Sequence, residues 1–182
     1  LEMVAQLLRD LQDVRFGALV LFTSREQMRQ AVAALSDASR PWVLVQGELP
    51  RPVLLTRHRQ AVEAEQRSVI FGMQSFGEGL DLPGALCESV FIAKLPFAPP
   101  DDPVGEARAE WLRAIGRDPF NELVVPATAV RLAQWAGRAI RTETDQAHVY
   151  CYDKRLSTTG YGKRLLQGLP PFTRIVRPPD PR

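Results

Sequence analysis

No stretch of this 182-residue sequence is apolar enough to cross a bilayer. The longest strand-like block, "GALVLF" at residues 17–22, falls far short of the ~18 residues that a membrane helix needs. A charged start followed by an apolar stretch and a small-residue cleavage site is also missing. Both absences point to a cytoplasmic protein without a membrane partner. Cysteine is scarce: Cys87 and Cys151 stand far apart and outside any metal-ligand spacing. They read as core thiols rather than as a disulfide or a metal site. The two histidines, His58 and His148, share no motif with them, so no metal is expected in this chain.

The parts that grip a nucleotide are missing as well. No G-x-x-x-x-G-K-[ST] loop occurs, and "GYGKR" (160–164) has the wrong spacing and no Ser or Thr after it. No acidic pair follows a strand to hold Mg²⁺. A stand-alone nucleotide hydrolase is thereby disfavoured. The opening at "LEMVAQ", without an initiator Met, is what a piece of a larger protein would show.

What the chain does have is charge unevenly spread. Residues 151–182 carry seven basic residues against two acids, a local +5, which leaves residues 1–150 at −3 of the overall +2. A basic end can meet a polyanion, and it can equally be a solvated tail. Twenty of the 23 basic residues are Arg, the side chain whose planar fork suits phosphate.

Apolar runs alternate with helical patterns along the chain. "ALVLF" (18–22), "WVLV" (42–45), "SVIFGM" (68–73), "SVFIAK" (89–94) and "HVYCYD" (148–153) read as strands. Helices through Met28, Val32 and Leu35, and through Leu54, His58 and Val62, separate the first three. Strands apolar at consecutive positions and joined by helices indicate a parallel sheet covered on both faces. The expected fold is an open α/β sandwich. The stretch after the fourth strand departs from that plan, with four prolines between Pro96 and Pro103. An amphipathic helix through Val104, Arg108, Trp111, Leu112 and Ile115 follows, expected to pack its apolar face into a core rather than to stack Trp111 on a base.

"QWAGRAIR" (134–141) carries the sharpest signal. At ~100° per residue, Gln134, Gly137, Arg138 and Arg141 fall within an arc of about 100° on one helix. Ala129, Ala133, Ala136 and Ile140 fall on the opposite side, where small residues can meet a sheet. The exposed arc presents two guanidiniums, an amide and bare backbone, an arrangement suited to a phosphate chain arriving from outside. Two loops add weaker signals. In "FGMQSFGEGLDLPG" (71–84), Glu78 and Asp81 supply carboxylates, Gly79 loosens the backbone, and amides near Gln74 and Ser75 can meet phosphates. In "LFTSREQM" (21–28), Ser24 either caps a helix or offers that helix's amides to a phosphate. Gln46, at the end of the second strand, is a lesser signal of the same kind.

Together, "LFTSREQM", "QSFGEGLDLPG", "QWAGRAIR" and "YDKRLSTTGYGKRLLQGLP" resemble the second, C-terminal RecA-like motor domain of superfamily 2 DNA helicases. The resemblance runs from about residue 15 to 172 and points to the XPD-like branch, nearest the DinG and YoaA types. It implies that Gln134, Arg138 and Arg141 are motif VI, whose arginines reach the γ-phosphate of ATP held with Mg²⁺ by the first motor domain of the same polypeptide. It implies that Glu78, Gly79 and Asp81 are motif V, linking nucleotide to DNA. Thr23 and Ser24 match motif IV, beside the DNA backbone. The family's iron–sulfur cluster is held by four cysteines in the other motor domain, outside this chain. Single-stranded DNA and replication or repair proteins are the partners implied. The expectation is one RecA-like domain over 1–172, with an insertion at about 96–126, and a Pro-rich tail over 173–182. Its function is arginine fingers and part of a DNA track, inactive as an ATPase alone. A non-enzymatic nucleic-acid-binding or docking module with the same fold is the alternative.

Overall fold

The computed structural model describes residues 2–98, 102–138 and 146–178. In chain order the regular elements begin with α1 (Glu2–Leu11), β1 (Gly17–Phe22), α2 (Arg25–Ala33), β2 (Val43–Val45), α3 (Arg51–Glu63), β3 (Ser68–Met73) and the single turn α4 (Gln74–Gly77). They continue with β4 (Ser89–Ile92), α5 (Pro103–Ala114), α6 (Val125–Ala136), β5 (His148–Cys151), α7 (Arg155–Thr158) and α8 (Gly160–Gln167). All five expected strands are present and form one sheet in the order β2-β3-β1-β4-β5. Every pairing is parallel, with Gly17 opposite Ser68, Ala18 opposite Ser89, and Ser89 opposite His148. This is the open parallel α/β sheet the residues imply and the RecA-like fold the resemblance implies.

The reason lies in the strand sequences. All six residues of β1 are buried, as a strand with neighbours on both edges and helices on both faces requires. Phe22 and Phe71 pack with centroids 5.4 Å apart, and Phe91 stacks on Tyr150 at 4.4 Å. One face is closed by α1, whose Val4, Leu7 and Leu11 join Val20 and Phe22 in the core. The pattern Val4, Leu7, Leu8, Leu11 is a helical stripe, yet the strand-and-motif pattern of the sequence does not single this helix out.

The chain divides into two compact units. The first, Leu1–Pro96 with Gln134–Asp153, holds the whole sheet. At its sheet edge Asp153 accepts the Leu95 N–H at 3.0 Å, and the Tyr152 hydroxyl donates to Asp10 at 2.7 Å. The second unit, Phe97–Ala133 with Lys154–Arg182, is helical among its described residues. Phe97, Phe120 and Tyr161 cluster there, with Phe120 and Tyr161 edge to face at 5.1 Å and Arg155 4.8 Å over the Phe97 ring. The second glycine in "GYGKR" has a packing role: a Cβ on Gly162 would lie 2.3 Å from the Arg155 carbonyl oxygen. Part of the basic segment is spent internally, since Arg164 donates to Asn121 and Arg174 to the Leu166 carbonyl.

The apolar side of α5 contradicts expectation. Of its stripe only Leu112 is buried, whereas Val104, Trp111 and Ile115 are 62%, 60% and 49% exposed. The helix forms as its pattern predicts, starting with Pro103 in the first turn, but its apolar face is not in a core.

Candidate nucleotide- and DNA-facing site

The loop after β3 leaves the sheet through α4 and is pinned by apolar anchors. Phe76, Leu80 and Leu82 are buried, while Glu78, Gly79 and Asp81 between them are exposed. Gly79 has φ +70°, a left-handed conformation that residues with a Cβ adopt at a cost. The alternation of buried and exposed positions holds the loop to the sheet while presenting its backbone outward.

The end of α6 faces this loop. Gln134 stands in the last helical turn, and Glu78, Gly79, Gln134, Gly137 and Arg138 line one open depression of about 470 Å³. Residues 58 apart in the chain thus meet: Arg138 Nη1 donates to the Leu80 carbonyl oxygen at 3.1 Å. The Nε of the same guanidinium is buried and has no hydrogen-bond partner among the described residues. A buried cationic donor without an acceptor is costly, and it suits an anionic oxygen arriving in the depression.

Three expectations change here. The helix expected to run through residue 141 ends at Ala136, and Gly137 and Arg138 form a turn, closed by Arg138 N–H to the Trp135 carbonyl at 3.1 Å. Glycine at this point favours termination. Ile140 and Arg141 lie outside the described residues. Of the alanines expected on the packed side of α6, Ala136 is fully buried and Ala129 and Ala133 are half-buried, while the bulk of the buried face comes from Leu132 and Trp135 with Val125 and Thr128. Finally, Arg138 is half-buried and bonded, not on a freely solvated arc, so truncating it removes a real contact.

The remaining candidates sit where β1, β2 and β3 end. Ser24 caps α2, its Oγ accepting the Gln27 N–H at 3.3 Å, and Thr23 beside it is half-buried. Gln46 bridges two strands: its N–H donates to the Phe71 carbonyl, and its Oε1 accepts the Met73 N–H at 2.7 Å. Gln74 and Ser75 open α4, and the Ser75 carbonyl accepts the Glu78 N–H. None of these lines the Arg138 depression, and neither does Asp81.

Two residues escape a reading of the sequence. Arg51, first in α3, donates to the Glu78 carbonyl at 3.1 Å and lies 4.8 Å over the Phe76 ring. No spacing rule links it to a loop 27 residues on. His58 falls on the apolar stripe of α3, but its bonds have no sequence signal. Fully buried, it meets Ser68 Oγ at Nδ1 and the Leu86 carbonyl at Nε2, both at 2.7 Å. A carbonyl can only accept, so Nε2 carries the proton and Nδ1 accepts from Ser68. Burial holds this imidazole below its ordinary 6.5, against the opposing pull of the Leu86 bond.

Among the described residues, no group of three or more His, Cys, Asp or Glu is placed to hold a metal ion. No helix among them is long and apolar enough to cross a membrane. Cys87 is buried with its thiol toward the Ser89 carbonyl, and Cys151 is half-buried.

Known proteins resemble the chain along most of its length. A family model described as the helicase C-terminal domain matches residues 7–172. The ATP-dependent DNA helicase DinG of Photobacterium profundum is 41% identical over 163 residues, covering 88% of this chain and 24% of that protein. The DinG helicase of Escherichia coli (strain K12) is 45% identical over 156 residues, covering 86% of this chain and 22% of that protein. The chain therefore spans about a quarter of the length of these relatives. A solved XPD helicase superposes with a TM-score of 0.69 at 23% identity, covering 92% of this chain and 30% of that one. A second, described as XPD in its apo form, gives 0.69 at 25% identity over 91% of this chain and 33% of its own. The chain belongs to the helicase C-terminal domain family.

Proposed function

We propose that this chain is the second motor domain of an ATP-dependent DNA helicase and completes a nucleotide site whose other half it does not contain. The single observation that carries the reading is Arg138: a half-buried guanidinium at the Glu78–Gly79 loop, with a buried Nε lacking an acceptor among the described residues. ATP and Mg²⁺ belong mainly to the first motor domain, where the bound nucleotide supplies the phosphoryl group and its leaving group. Arg138, with Arg141 of the same motif, meets the charge that builds on that group in the transition state. Gln134 and the Gly79 backbone flank the same depression and orient the incoming phosphates. Glu78 and Asp81 connect this depression to the DNA side. On that side we place Thr23, Ser24, Gln46, Gln74 and Ser75, which follow three adjacent parallel strands and form one edge of a single-stranded DNA track. Gln46 has spent its carboxamide oxygen on Met73, so its Nε2 is the group that donates to a phosphate.

The test is DNA-stimulated ATP hydrolysis by the full-length protein that carries this chain. Arg138→Ala should lower kcat by about 10³-fold or more while DNA binding persists, since an arginine finger is typically worth ~10³–10⁵. Arg138→Lys should fail too, because a point charge does not reproduce the planar fork. Arg141→Ala is expected to behave like Arg138→Ala. Near-normal turnover in all three would remove the catalytic role and leave the non-enzymatic docking reading. Steady ATP turnover by the isolated chain would overturn the half-site.

A further inference from the structure

On the half-site reading the depression at Arg138 receives a phosphate chain, yet the charges that line it, among the described residues, cancel. Its lining is Glu78, Gly79, Gln134, Gly137 and Arg138: one guanidinium, one carboxylate, one neutral carboxamide and two glycines. The opposite charges do not neutralise each other by contact. Arg138 spends Nη1 on the Leu80 carbonyl, and the Glu78 carboxylate has no hydrogen bond or ion pair among the described residues. It is held there all the same, through its backbone. The Glu78 N–H donates to the Ser75 carbonyl at 3.4 Å, and its own carbonyl accepts from Arg51 at 3.1 Å. Gly77 before it packs on β1, where a Cβ would come within 3.0 Å of Leu21 Cδ2. A pinned main chain with an exposed, unpaired carboxylate is a placed negative charge. The end of α6 at Ala136 is a second, because the last carbonyls of a helix carry partial negative charge.

We propose that Glu78 is a specificity-determining residue, which makes this depression take nucleotide complexed with a divalent cation and turn away the free polyphosphate. This deepens the half-site reading above and rests on it. A bare triphosphate brings its whole negative charge to a place that offers one guanidinium and opposes it with a carboxylate and a helix C-terminus. Complexation with Mg²⁺ cancels part of that charge before the nucleotide arrives. Repulsion from Glu78 grows with the net charge of the ligand, whereas the attraction to Arg138 needs only one anionic oxygen within reach. Glu78 therefore weakens binding of the free nucleotide more than that of the complexed one. The depression is thus kept from filling with a form that lacks the metal its phosphoryl chemistry needs. No movement of the loop is required, since Glu78 acts from where its backbone already holds it.

Equilibrium binding of ATP to the full-length protein, without Mg²⁺ and with saturating Mg²⁺, tests this. Glu78→Gln keeps the shape of the side chain and removes its charge. Its Kd for metal-free ATP should fall by about fivefold, while the Kd for the complexed nucleotide changes by less than about twofold. That difference should narrow as ionic strength rises, because an exposed charge is screened. Glu78→Asp keeps the charge and should retain the wild-type discrimination, and the melting temperatures of all three proteins should agree. Equal changes in both Kd values, or no change in either, would overturn the proposal. So would a loss of discrimination in Glu78→Asp as large as in Glu78→Gln, since shape rather than charge would then be at work. Turnover of Arg138→Ala tests the half-site reading separately. If that variant is inactive while Glu78→Gln binds both forms as the wild type does, the half-site stands and only the role of Glu78 falls. Near-normal turnover in Arg138→Ala would remove the half-site and this proposal together.

Discussion

Two helices of this chain carry the same kind of apolar stripe and meet different fates. In α3, Leu54, His58 and Val62 recur every four residues and all three are buried against the sheet unit. In α5, Val104, Trp111 and Ile115 recur at similar spacing, and each remains about half exposed or more while Leu112 alone is buried. Periodicity tells a chain to form a helix and marks one side as apolar. It does not say that anything covers that side. The stripe of α3 even tolerates an imidazole, because Ser68 on β3 and the Leu86 carbonyl satisfy both ring nitrogens. Burial there is specified by partners, and the matching sequence pattern in α5 lacks them among the described residues.

The comparison breaks most visibly at Leu54. Its side chain is fully buried, so Leu54→Ala should cost about 2–5 kcal/mol, the transfer term plus the cavity left behind. Val104→Ala on α5, at 62% exposure, should stay within about 0.5 kcal/mol. Urea unfolding of both variants checks this, and equal losses would mean that the two stripes are buried alike in solution.

His58 sharpens the contrast through pH. Its folded pKa lies below the ordinary 6.5, because burial disfavours the imidazolium. The unfolded chain therefore binds the extra proton first as pH falls. Stability from this group is complete above about pH 6.5 and is lost progressively as pH drops from there toward the folded pKa, by up to ~1.4 kcal/mol per pH unit. His58→Gln should flatten that slope, although it starts from a less stable protein. Urea midpoints between about pH 7.5 and 5.5, spanning the ordinary histidine pKa, would refute the assignment if the wild type and His58→Gln lost stability in parallel.

The same contrast explains what could be read from sequence. The strands were legible because a parallel strand is buried on both faces, so "GALVLF" and "SVIFGM" announce themselves without reference to the rest of the chain. The family motifs were legible because their residue types and order are specific even when each loop alone is ordinary. On α6 the alanine spacing gives only the edge of the buried face, whose centre is the bulkier Leu132 and Trp135, because apolar area favours the larger side chains. Arg138 was expected on a solvated arc. Its bond to Leu80 crosses 58 residues of chain, and no local periodicity encodes such a contact. Arg51 was invisible for the same reason, since what it recognises is a backbone carbonyl, which every residue has.

The smallest expected effect isolates the comparison within α5 itself, at two adjacent residues. Trp111 and Leu112 are neighbours in the helix, yet they differ by 60% against 5% exposure. Leu112→Ala should destabilise the protein by about 2 kcal/mol or more, as truncation of a buried aliphatic side chain does. Trp111→Ala removes the larger side chain yet should cost no more than about 0.5 kcal/mol, because water already reaches most of the indole. The indole's own fluorescence offers a second check, since Trp135 is 3% exposed and Trp42 partners Arg67 in a cation–π contact at 4.7 Å. Subtracting the spectrum of Trp111→Phe from the wild type should leave a red-shifted emission, typical of a water-exposed ring. A blue-shifted difference spectrum, or a Trp111→Ala loss as large as that of Leu112→Ala, would show that this face of α5 is covered in solution and would return it to the company of α3.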